Sequence, residues 1–389
     1  MIRPDAGARE TRPRVCFLYI AQTHQILHSL PIAVAMARAH PDIAVEIVAA
    51  TPEHLAYVRT RLDALGDAPI ALSLLSPAWL RDFRPGGAST PPKALMLIAN
   101  ALMLNGYDAV VTPERTTALL RRLGARHPLL VFTQHGAGDR GGTHGPRLRL
   151  FDLVMAAGPK QYDRMIEEGW VTPQTCAMVG YPKFDLIDAL PSSPLPVFAQ
   201  DRPVVLYNPH FDLTLGSWPR WGRQVLEAFA ADDRYNLIFA PHIRLFDGAD
   251  PKTVEALAPF VGHPRLYLDL GGPAAIDMTY TRAADLYLGD ISSQVYEFLR
   301  TPKPCLFLNV SDADWQDDES FQHWRCGPVL DSVNGLVDAV ASAERTHDAY
   351  VDAQKRGFAE TFDLRATPSS VRAAEAIVDR LPTKRRPGR

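Results

Sequence analysis

The chain has 389 residues, 47% of them hydrophobic and 22% charged, which suits a globular protein long enough for two domains. Its formal net charge of −3 argues against bulk attraction to nucleic acid or to an anionic membrane. The four cysteines form no CxxC pair, which indicates reduced thiols, and no apolar run is long enough to cross a bilayer. We therefore expect a cytoplasmic protein that binds no nucleic acid and contacts the inner membrane face at most peripherally.

Short apolar runs alternate with helical patterns along the first half of the chain. The predicted strands lie at 14–20, 45–50, 70–75, 108–113, 129–135 and 153–158. Amphipathic stretches such as 28–40 and 113–124 separate them. Continuous apolar strands divided by amphipathic helices are typical of parallel sheets covered by helices on both faces.

A segment rich in proline and serine, 186–203, interrupts this alternation and is predicted to be a linker. The alternation then restarts, with predicted strands at 204–210, 236–242, 265–270, 285–290, 305–309 and 328–331. The chain ends in helical patterns. We predict an α/β chain with two Rossmann-like, doubly wound parallel-sheet domains that face each other across a cleft.

Histidines follow several of the predicted strands, where open α/β sheets bind their ligands. His135 ends the strand in "FTQHGAGDRGGTHG", and the glycines from Gly136 onwards let the backbone approach a ligand closely. This position predicts a catalytic or binding histidine, although a turn with a solvent-facing histidine has the same pattern.

Two later strands end in the same Pro-His step. "YNPHFD" places Asn208 and His210 at the end of one strand, where they could face the cleft or hold the following loop. "FAPHIR" places His242 and Arg244 after the next strand, and this pair offers donors that suit phosphate oxygens. The repetition favours a shared binding role over two unrelated surface histidines.

The stretch "LYLGDISSQVYEFLRTPKP" runs from a buried strand into a helix. Asp290, Ser292 and Ser293 lie at the corner between them, where serines either cap the helix or donate to a phosphate on its N-terminus. Glu297, about one turn into the helix, could reach the hydroxyls of a ribose or could simply lie on the helix surface.

These motifs in this order resemble the CDP-glycerol glycerophosphotransferases of teichoic-acid synthesis. The resemblance covers roughly 129–330 and rests on "QHG", "VGYPKFD", "VLYNP", "APH" and "LGDISSQVYEFLRTPKP". It implies the GT-B fold, which that family shares with nucleotide-sugar glycosyltransferases and UDP-N-acetylglucosamine 2-epimerases. The predicted boundaries are then a disordered basic tail (1–13), an acceptor-side N-terminal domain (14–185), the linker (186–203), a nucleotide-donor C-terminal domain (204–365) and a C-terminal helix with a basic tail (366–389).

The resemblance also implies roles for single residues. His135 matches the family's proposed general base, and His242 matches the histidine that contacts the donor pyrophosphate. Asp290, Ser292 and Ser293 match the family's phosphate-binding turn, and Glu297 falls where the acidic residue after that turn does and is expected to contact the ribose. From their own positions in this chain, further residues are expected at the site. They are Arg244, Asn208 and His210 on the donor side, and Gly136 and Lys183 on the acceptor side. The chain departs from the family at "NPHFDL" and at Lys183, where arginine is usual.

The expected activity is a metal-independent transfer from a nucleotide-diphospho donor, CDP-glycerol by resemblance, to a hydroxyl acceptor that is a glycan or is linked to a lipid. We expect no cofactor and no metal ligand. Two alternatives remain open from the sequence. One is a nucleotide-sugar glycosyltransferase or an enzyme like UDP-N-acetylglucosamine 2-epimerase, with attack at carbon, and the other is a nucleotide-binding protein without catalysis.

Overall fold

The structure is a computed structural model that describes residues 12–139 and 145–382. Most of the predicted N-terminal tail and the basic C-terminal end lie outside the described residues, as does part of the glycine-rich loop, 140–144. Within the described chain, two parallel sheets form two lobes.

The first lobe contains a seven-stranded sheet. Its strands are β1 (Arg14–Tyr19), β2 (Ala44–Ala49), β3 (Ile70–Leu74), β4 (Ala109–Thr112), β5 (Leu129–Phe132), β6 (Leu153–Ala156) and β7 (Cys176–Met178). They are all parallel, in the order β3-β2-β1-β4-β5-β6-β7. The order reverses between β1 and β4, which is where such sheets open a crevice at the carboxyl ends of their strands.

Among the described residues of this lobe, seven α-helices accompany the sheet, and a 3₁₀ helix lies at Thr23–His28. They are α1 (Leu30–Ala39), α2 (Pro52–Leu65), α3 (Ala78–Asp82), α4 (Lys93–Leu104), α5 (Leu119–Arg122), α6 (Pro159–Glu167) and α7 (Pro182–Ala189). Helix α2 shows how local sequence sets the bounds. The hydroxyl of Thr51 accepts a hydrogen bond from the His54 N–H at its start, and Gly66 takes a φ of 80° after its end.

The second lobe repeats the design with six parallel strands. They are β8 (Val204–Asn208), β9 (Asn236–Phe239), β10 (Leu266–Leu268), β11 (Leu286–Gly289), β12 (Cys305–Leu308) and β13 (Val329–Leu330). Their order is β10-β9-β8-β11-β12-β13, so the reversal falls between β8 and β11. The Asn208 end of β8 therefore lies beside the Gly289 end of β11.

Helices cover this second sheet and then return to the first lobe. They are α8 (Arg223–Ala231), α9 (Pro251–Glu255), α10 (Pro273–Ile276), α11 (Thr279–Ala283), α12 (Gln294–Phe298), α13 (Leu336–Arg345), α14 (Val351–Thr361) and α15 (Ser369–Val378). Helix α14 contacts α6, and α15 packs against α1 and α7. Ala373, Ala374 and Ile377 of α15 lie in the core of the first lobe, so the end of the chain joins the two lobes.

Each sheet has an apolar core on both faces, as continuous hydrophobic strands require. In β1, Val15 and Phe17 point into one core, and Cys16 and Leu18 point into the other. The predicted α/β class with two doubly wound parallel sheets is confirmed. The sequence pattern missed β7, a three-residue edge strand whose letters "CAM" contain no β-branched residue.

Candidate functional site

A cavity of about 430 Å³ lies between the lobes, at the carboxyl ends of both sheets. Residues that follow β1, β4 and β5 line its first-lobe side, and residues that follow β8, β9 and β11 line the other. Eight of the residues predicted for the site line this cavity. They are His135, Gly136, Lys183, His210, His242, Arg244, Ser293 and Glu297.

His135 is held in one tautomer by the first lobe. Its Nδ1 lies 2.7 Å from the backbone oxygen of Pro113, which follows β4. A carbonyl oxygen can only accept, so Nδ1 carries the hydrogen and Nε2 is left with the lone pair. Burial lowers the pKa of His135, against the opposing effect of the Pro113 carbonyl. His135 is therefore a neutral ring whose free nitrogen is a proton acceptor.

The two histidines of the second lobe have the opposite tautomer. The backbone N–H of Arg244 donates to Nδ1 of His242 (3.2 Å), and that of Asp212 donates to Nδ1 of His210 (3.1 Å). In each neutral ring Nε2 therefore carries the hydrogen and is a donor. Burial, followed by the neighbouring histidines and Arg244, holds the pKa of His242 well below its usual range. The His242 ring can therefore donate to an oxygen atom without carrying a charge.

His24, which the sequence analysis did not single out, lies between these rings. Its ring centroid is 6.3 Å from that of His135 and 5.8 Å from that of His242, both edge-on. Burial, followed by His135 and the nearby cations, lowers the pKa of His24 to about 3. Its Nδ1 is buried without a hydrogen-bond partner among the described residues. His24 therefore belongs to the same cluster and offers one unoccupied nitrogen.

Lys183 and Glu297 form a buried ion pair on the cavity wall. The Lys183 ammonium lies 2.8 Å from each carboxylate oxygen of Glu297, and the Tyr181 hydroxyl donates to one of them at 2.7 Å. Burial, followed by the proximity of that carboxylate, raises the pKa of Tyr181. A carboxylate accepts about four hydrogen bonds, so Glu297 retains room for one further donor. The predicted ribose contact of Glu297 stays a prediction, and Lys183 is its partner across the lobes.

Three predicted donor-binding residues lie behind the cavity wall. Ser292 donates to Asn208 (2.7 Å), and Asn208 donates to the backbone oxygen of Ala240 (2.6 Å). The carboxylate of Asp290 accepts from the N–H groups of His210 (3.0 Å) and Ser217 (2.6 Å). Asn208, Ser292 and Asp290 therefore hold the loops after β8, β9 and β11 together. Their direct contact with a donor stays a prediction, and the structure gives them a supporting position.

Ser293 lies at the point where the two lobes meet. It precedes α12, which has only five residues, so the helix dipole there is small. A side chain at Gly138 would place its Cβ 2.9 Å from the Ser293 Cβ, and one at Gly136 would lie 3.6 Å from the Ser293 hydroxyl. Glycine is required at Gly138 because the first-lobe loop passes so close to this turn.

A buried network behind this contact joins the loop of His135 to the second lobe. Asp139 accepts from the Lys160 ammonium (2.5 Å), from the Tyr296 hydroxyl (2.8 Å) and from Nδ1 of His323 (2.7 Å). Burial raises the pKa of Asp139, but His323 and the Lys160 charge outweigh it and the net pKa is lowered. The other ring nitrogen of His323 lies 2.9 Å from the backbone oxygen of Asp290. The network thus ties the two walls of the cavity together.

Cationic side chains line the cavity on both sides. The Arg244 guanidinium lies over the Phe211 ring, 3.9 Å from its centroid, at the exposed rim. On the first-lobe side, the Lys93 ammonium pairs with Glu114 at 2.7 Å. Arg115, the next residue in the chain after Glu114, also lines the cavity. An anionic ligand would therefore meet positive charge from both lobes.

Several cavity residues escaped the sequence analysis. They are Gln22, His24, Gln25, His28, Lys93, Glu114, Arg115, Phe211 and Gln294, among others. One signal was present: "AQTHQILH" follows β1 directly, so His24 and His28 lie at a strand end like the histidines that were predicted. Lys93 carried no such signal, because it begins a helix that is distant in sequence from any predicted motif.

Two surveys of the described residues complete the site. Within 12–139 and 145–382, no three side chains of His, Cys, Asp and Glu are grouped so that they could hold a metal ion. Over the same residues, no helix has both the length and the apolar character needed to cross a bilayer.

The chain is similar over almost its whole length to solved structures of low sequence identity. A protein assigned as a UDP-N-acetylglucosamine 2-epimerase from Listeria monocytogenes matches at a TM-score of 0.66 and 16% identity, over 97% of this chain and 99% of that one. The wall teichoic acid polymerase TagF, in a variant soaked with CDPG, matches at 0.60 and 13%, over 94% and 88%. MnaA from S. aureus in complex with UDP matches at 0.59 and 13%, over 94% and 95%.

No protein-family model matches the chain, and no curated protein matches it either. At these identities the three structures show the fold alone, and together with the two sheet orders they confirm the predicted one. The chain has the GT-B fold, with its histidine cluster in the cleft between the two lobes.

Proposed function

We propose that this protein is a transferase that uses a nucleotide-diphospho donor, with CDP-glycerol as the donor and a glycerophosphoryl group as the group transferred. One observation carries the proposal. His135 lines the cavity and has a bare Nε2, while His242 lines it and has an Nε2–H donor. One wall can take a proton and the other can hold phosphate oxygens, as transfer to a hydroxyl requires.

The reaction step follows from this geometry. The acceptor hydroxyl gives its proton to Nε2 of His135 as its oxygen attacks the phosphorus that bears the glycerol. A new P–O bond forms, the bond from that phosphorus to the bridging oxygen breaks, and CMP leaves with the electron pair. The proton on His135 then passes to solvent. Because burial lowers the pKa of His135, the ring is ready to accept a proton again at neutral pH.

The second lobe would stabilise the charge that develops on the phosphates. Nε2–H of His242 is a neutral donor, Nε2–H of His210 is a second donor, and Arg244 adds a full charge at the rim. Removing one preorganised donor of this kind costs about 3 kcal/mol in the best-studied enzymes. These residues are proposed to stabilise the leaving group, and Ser293 is the hydroxyl of the predicted phosphate turn that lines the cavity.

Two further facts support the choice of donor. The cavity volume of about 430 Å³ lies within the range of sites that enclose small ligands. The similar structures include TagF soaked with CDPG and MnaA in complex with UDP. We propose that the acceptor is a hydroxyl of a glycan or of a lipid-linked chain, in cytoplasmic synthesis of a cell-surface polymer.

Product analysis tests the proposal. The protein is incubated separately with CDP-glycerol, with UDP-N-acetylglucosamine and with donors in which GDP or ADP replaces UDP. The nucleotide released is identified by chromatography. CMP release that depends on a hydroxyl acceptor is expected. Release of a nucleoside diphosphate would identify glycosyl transfer instead, and a thermal shift with CDP but no turnover by any acceptor would contradict catalysis. A ligand at 100 times its Kd adds about 2.7 kcal/mol, so binding alone is readily detected.

A further inference from the structure

Apart from Lys93 at its start, helix α4 (Lys93–Leu104) exposes apolar side chains to solvent. Its exposed positions are Ala94, Leu95, Ile98, Ala99, Leu102 and Met103. Leu102 is 89% exposed and Ile98 is 53% exposed. Leu95, Ile98 and Leu102 are spaced three and four residues apart and so share one side of the helix. The opposite side is buried in the lobe through Met96, Leu97 and Leu104, together with Asn100, whose side chain is hydrogen-bonded to the backbone of Ser76.

A surface helix of a globular protein normally has a polar outer face, and α2 in the same lobe follows that rule. The exposed positions of α2 include Glu53, Arg59, Thr60 and Asp63. Helix α4 instead has one charged residue, Lys93, in twelve. A helix whose outer side is apolar as well as most of its buried side is normally covered by another molecule or segment. No described residue covers this side of α4, which is why its side chains are exposed.

Two aromatic side chains extend the apolar surface. Trp79 is 70% exposed on α3, and Phe83, which follows α3, is 49% exposed. Helix α3 packs against α4. We call the combined surface the α3–α4 face; it consists of Trp79, Phe83, Leu95, Ile98, Leu102 and Met103.

Exposed basic side chains lie on the element that packs beside the α3–α4 face, although the protein as a whole has a net charge of −3. Helix α5, which packs against α4, contributes the exposed Arg122, and the exposed Arg126 follows it. An apolar face beside basic side chains is complementary to an anionic lipid surface.

We propose that the α3–α4 face docks on an anionic lipid bilayer, with its apolar side chains in the interfacial region and the arginines at the head groups. A second copy of the chain suits the surface less well. In a symmetric dimer the same patch meets itself, so the excess positive charge would face like charge.

Docking in this way would place the cavity near the membrane. Lys93 is the first residue of α4, and its ammonium lines the cavity beside Glu114. This position would present the first-lobe wall, with His135, to an acceptor at the bilayer surface. That consequence rests on the proposed function.

Vesicle binding by the full chain tests the proposal without any need for turnover. Sedimentation with vesicles of phosphatidylcholine and phosphatidylglycerol is compared for the wild type and for the double variant Ile98→Lys, Leu102→Lys. Each buried aliphatic side chain is worth roughly a tenfold change in affinity, so a loss of about 100-fold is expected. Val197→Lys is the matched control, since Val197 is 98% exposed in the segment before the second lobe, and no loss is expected there.

The charge component is tested with Arg122→Glu, Arg126→Glu against the control Arg59→Glu, which lies on the exposed side of α2. Weaker binding by the first variant alone, and weaker binding at higher salt, are expected. The proposal would be overturned if the Ile98→Lys, Leu102→Lys variant bound vesicles as well as the Val197→Lys control. It would also be overturned if the wild type bound pure phosphatidylcholine as well as the mixed vesicles. A concentration-dependent dimer that Leu102→Lys dissociates would also overturn it, and would assign the α3–α4 face to contact between copies. A failure of CMP release would leave the vesicle result unaffected.

Discussion

The two walls of the cavity present histidines of opposite character. On the first-lobe wall, a carbonyl oxygen fixes the hydrogen of His135 on Nδ1 and leaves Nε2 bare. On the second-lobe wall, backbone N–H groups occupy Nδ1 of His210 and His242, so that Nε2 is the donor in both. The same residue type thus becomes a base or a donor according to the backbone group behind it.

The origin of these backbone partners also differs between the walls. In "PHFD" and "PHIR" the N–H two residues after the histidine returns to Nδ1, so the second-lobe tautomer is a local property of the loop. His135 depends on Pro113, which is 22 residues earlier and follows the neighbouring strand β4. The tautomers of His210 and His242 are therefore set by their own loops, and that of His135, the proposed base, is set by the pairing of two strands.

The largest expected effect comes from His135→Asn. The asparagine amide can still donate to the Pro113 carbonyl, but nothing replaces the bare Nε2 nitrogen. A positioned base contributes about 10²–10⁴-fold, so kcat should fall by that factor while the Kd for CDP stays within about twofold. Steady-state kinetics and calorimetric titration measure the two quantities. Equal losses in kcat and in CDP affinity would show that His135 belongs to the binding wall.

A large loss of stability is expected when the connection between the walls is weakened. Asp139→Asn removes the charge that faces Lys160 and His323, and breaking a buried ion pair costs about 3–5 kcal/mol. Urea unfolding should show a loss of that order. Glu227→Gln is the control, because its pair with Arg223 is exposed on both sides and should contribute less than about 0.5 kcal/mol. A loss at Asp139 no larger than the control would mean that the network does not hold the walls together.

A smaller effect is expected on the donor wall, and it depends on where the new amide lies. His242→Gln can place an N–H near the position of Nε2, whereas His242→Asn places it near Nδ1. A lost hydrogen bond to a charged group costs about 1.5–3 kcal/mol, so the asparagine variant should bind CDP roughly 10- to 100-fold more weakly. The glutamine variant should recover part of that affinity. If both variants bind CDP like the wild type, His242 does not touch the phosphates.

The smallest effect concerns pH. The pKa of His24 is lowered to about 3, so the unfolded chain takes up a proton near its ordinary value of about 6.5 and the folded chain does not. The contribution of neutral His24 to the free energy of unfolding is therefore complete above about pH 6.5 and is lost as the pH falls towards 3. The slope is at most about 1.4 kcal/mol per pH unit.

The variant His24→Gln should reduce that slope, as measured by unfolding at several pH values. An unchanged slope would mean that water in the cavity already solvates the ring. Because the pKa of His135 is lowered as well, the acid limb of kcat/KM should lie below about pH 6.5.

The sequence was sufficient for the sheets because strand signals are local. Twelve of the observed strands follow apolar runs that the pattern marks, and the missed strand β7 has three residues at a sheet edge. The rule that ligands lie at strand ends also predicts that His135, His210 and His242 line the cavity. The sequence "AQTHQILH" after β1 has the same position, so the same rule predicts His24, which the sequence analysis did not include.

The supporting role of Asp290 could not be predicted in this way. The pattern placed Asp290 at the right corner, but which way its carboxylate points depends on Ser217, which is 73 residues away. The Asp139–His323 bond spans 184 residues and is likewise beyond any local pattern. The outer face of α4 differs, because its apolar residues can be read from the sequence. Only the structure shows which of them are exposed to solvent.

The central claim is that His135 and His242 carry their hydrogens on different ring nitrogens. Nitrogen-15 NMR of the histidine rings, with His135→Asn and His242→Gln used to assign the signals, reads this directly. At pH 7.5 we expect both rings to be neutral, with the hydrogen on Nδ1 in His135 and on Nε2 in His242. The same tautomer in both rings, or a charged ring at either position, would contradict it.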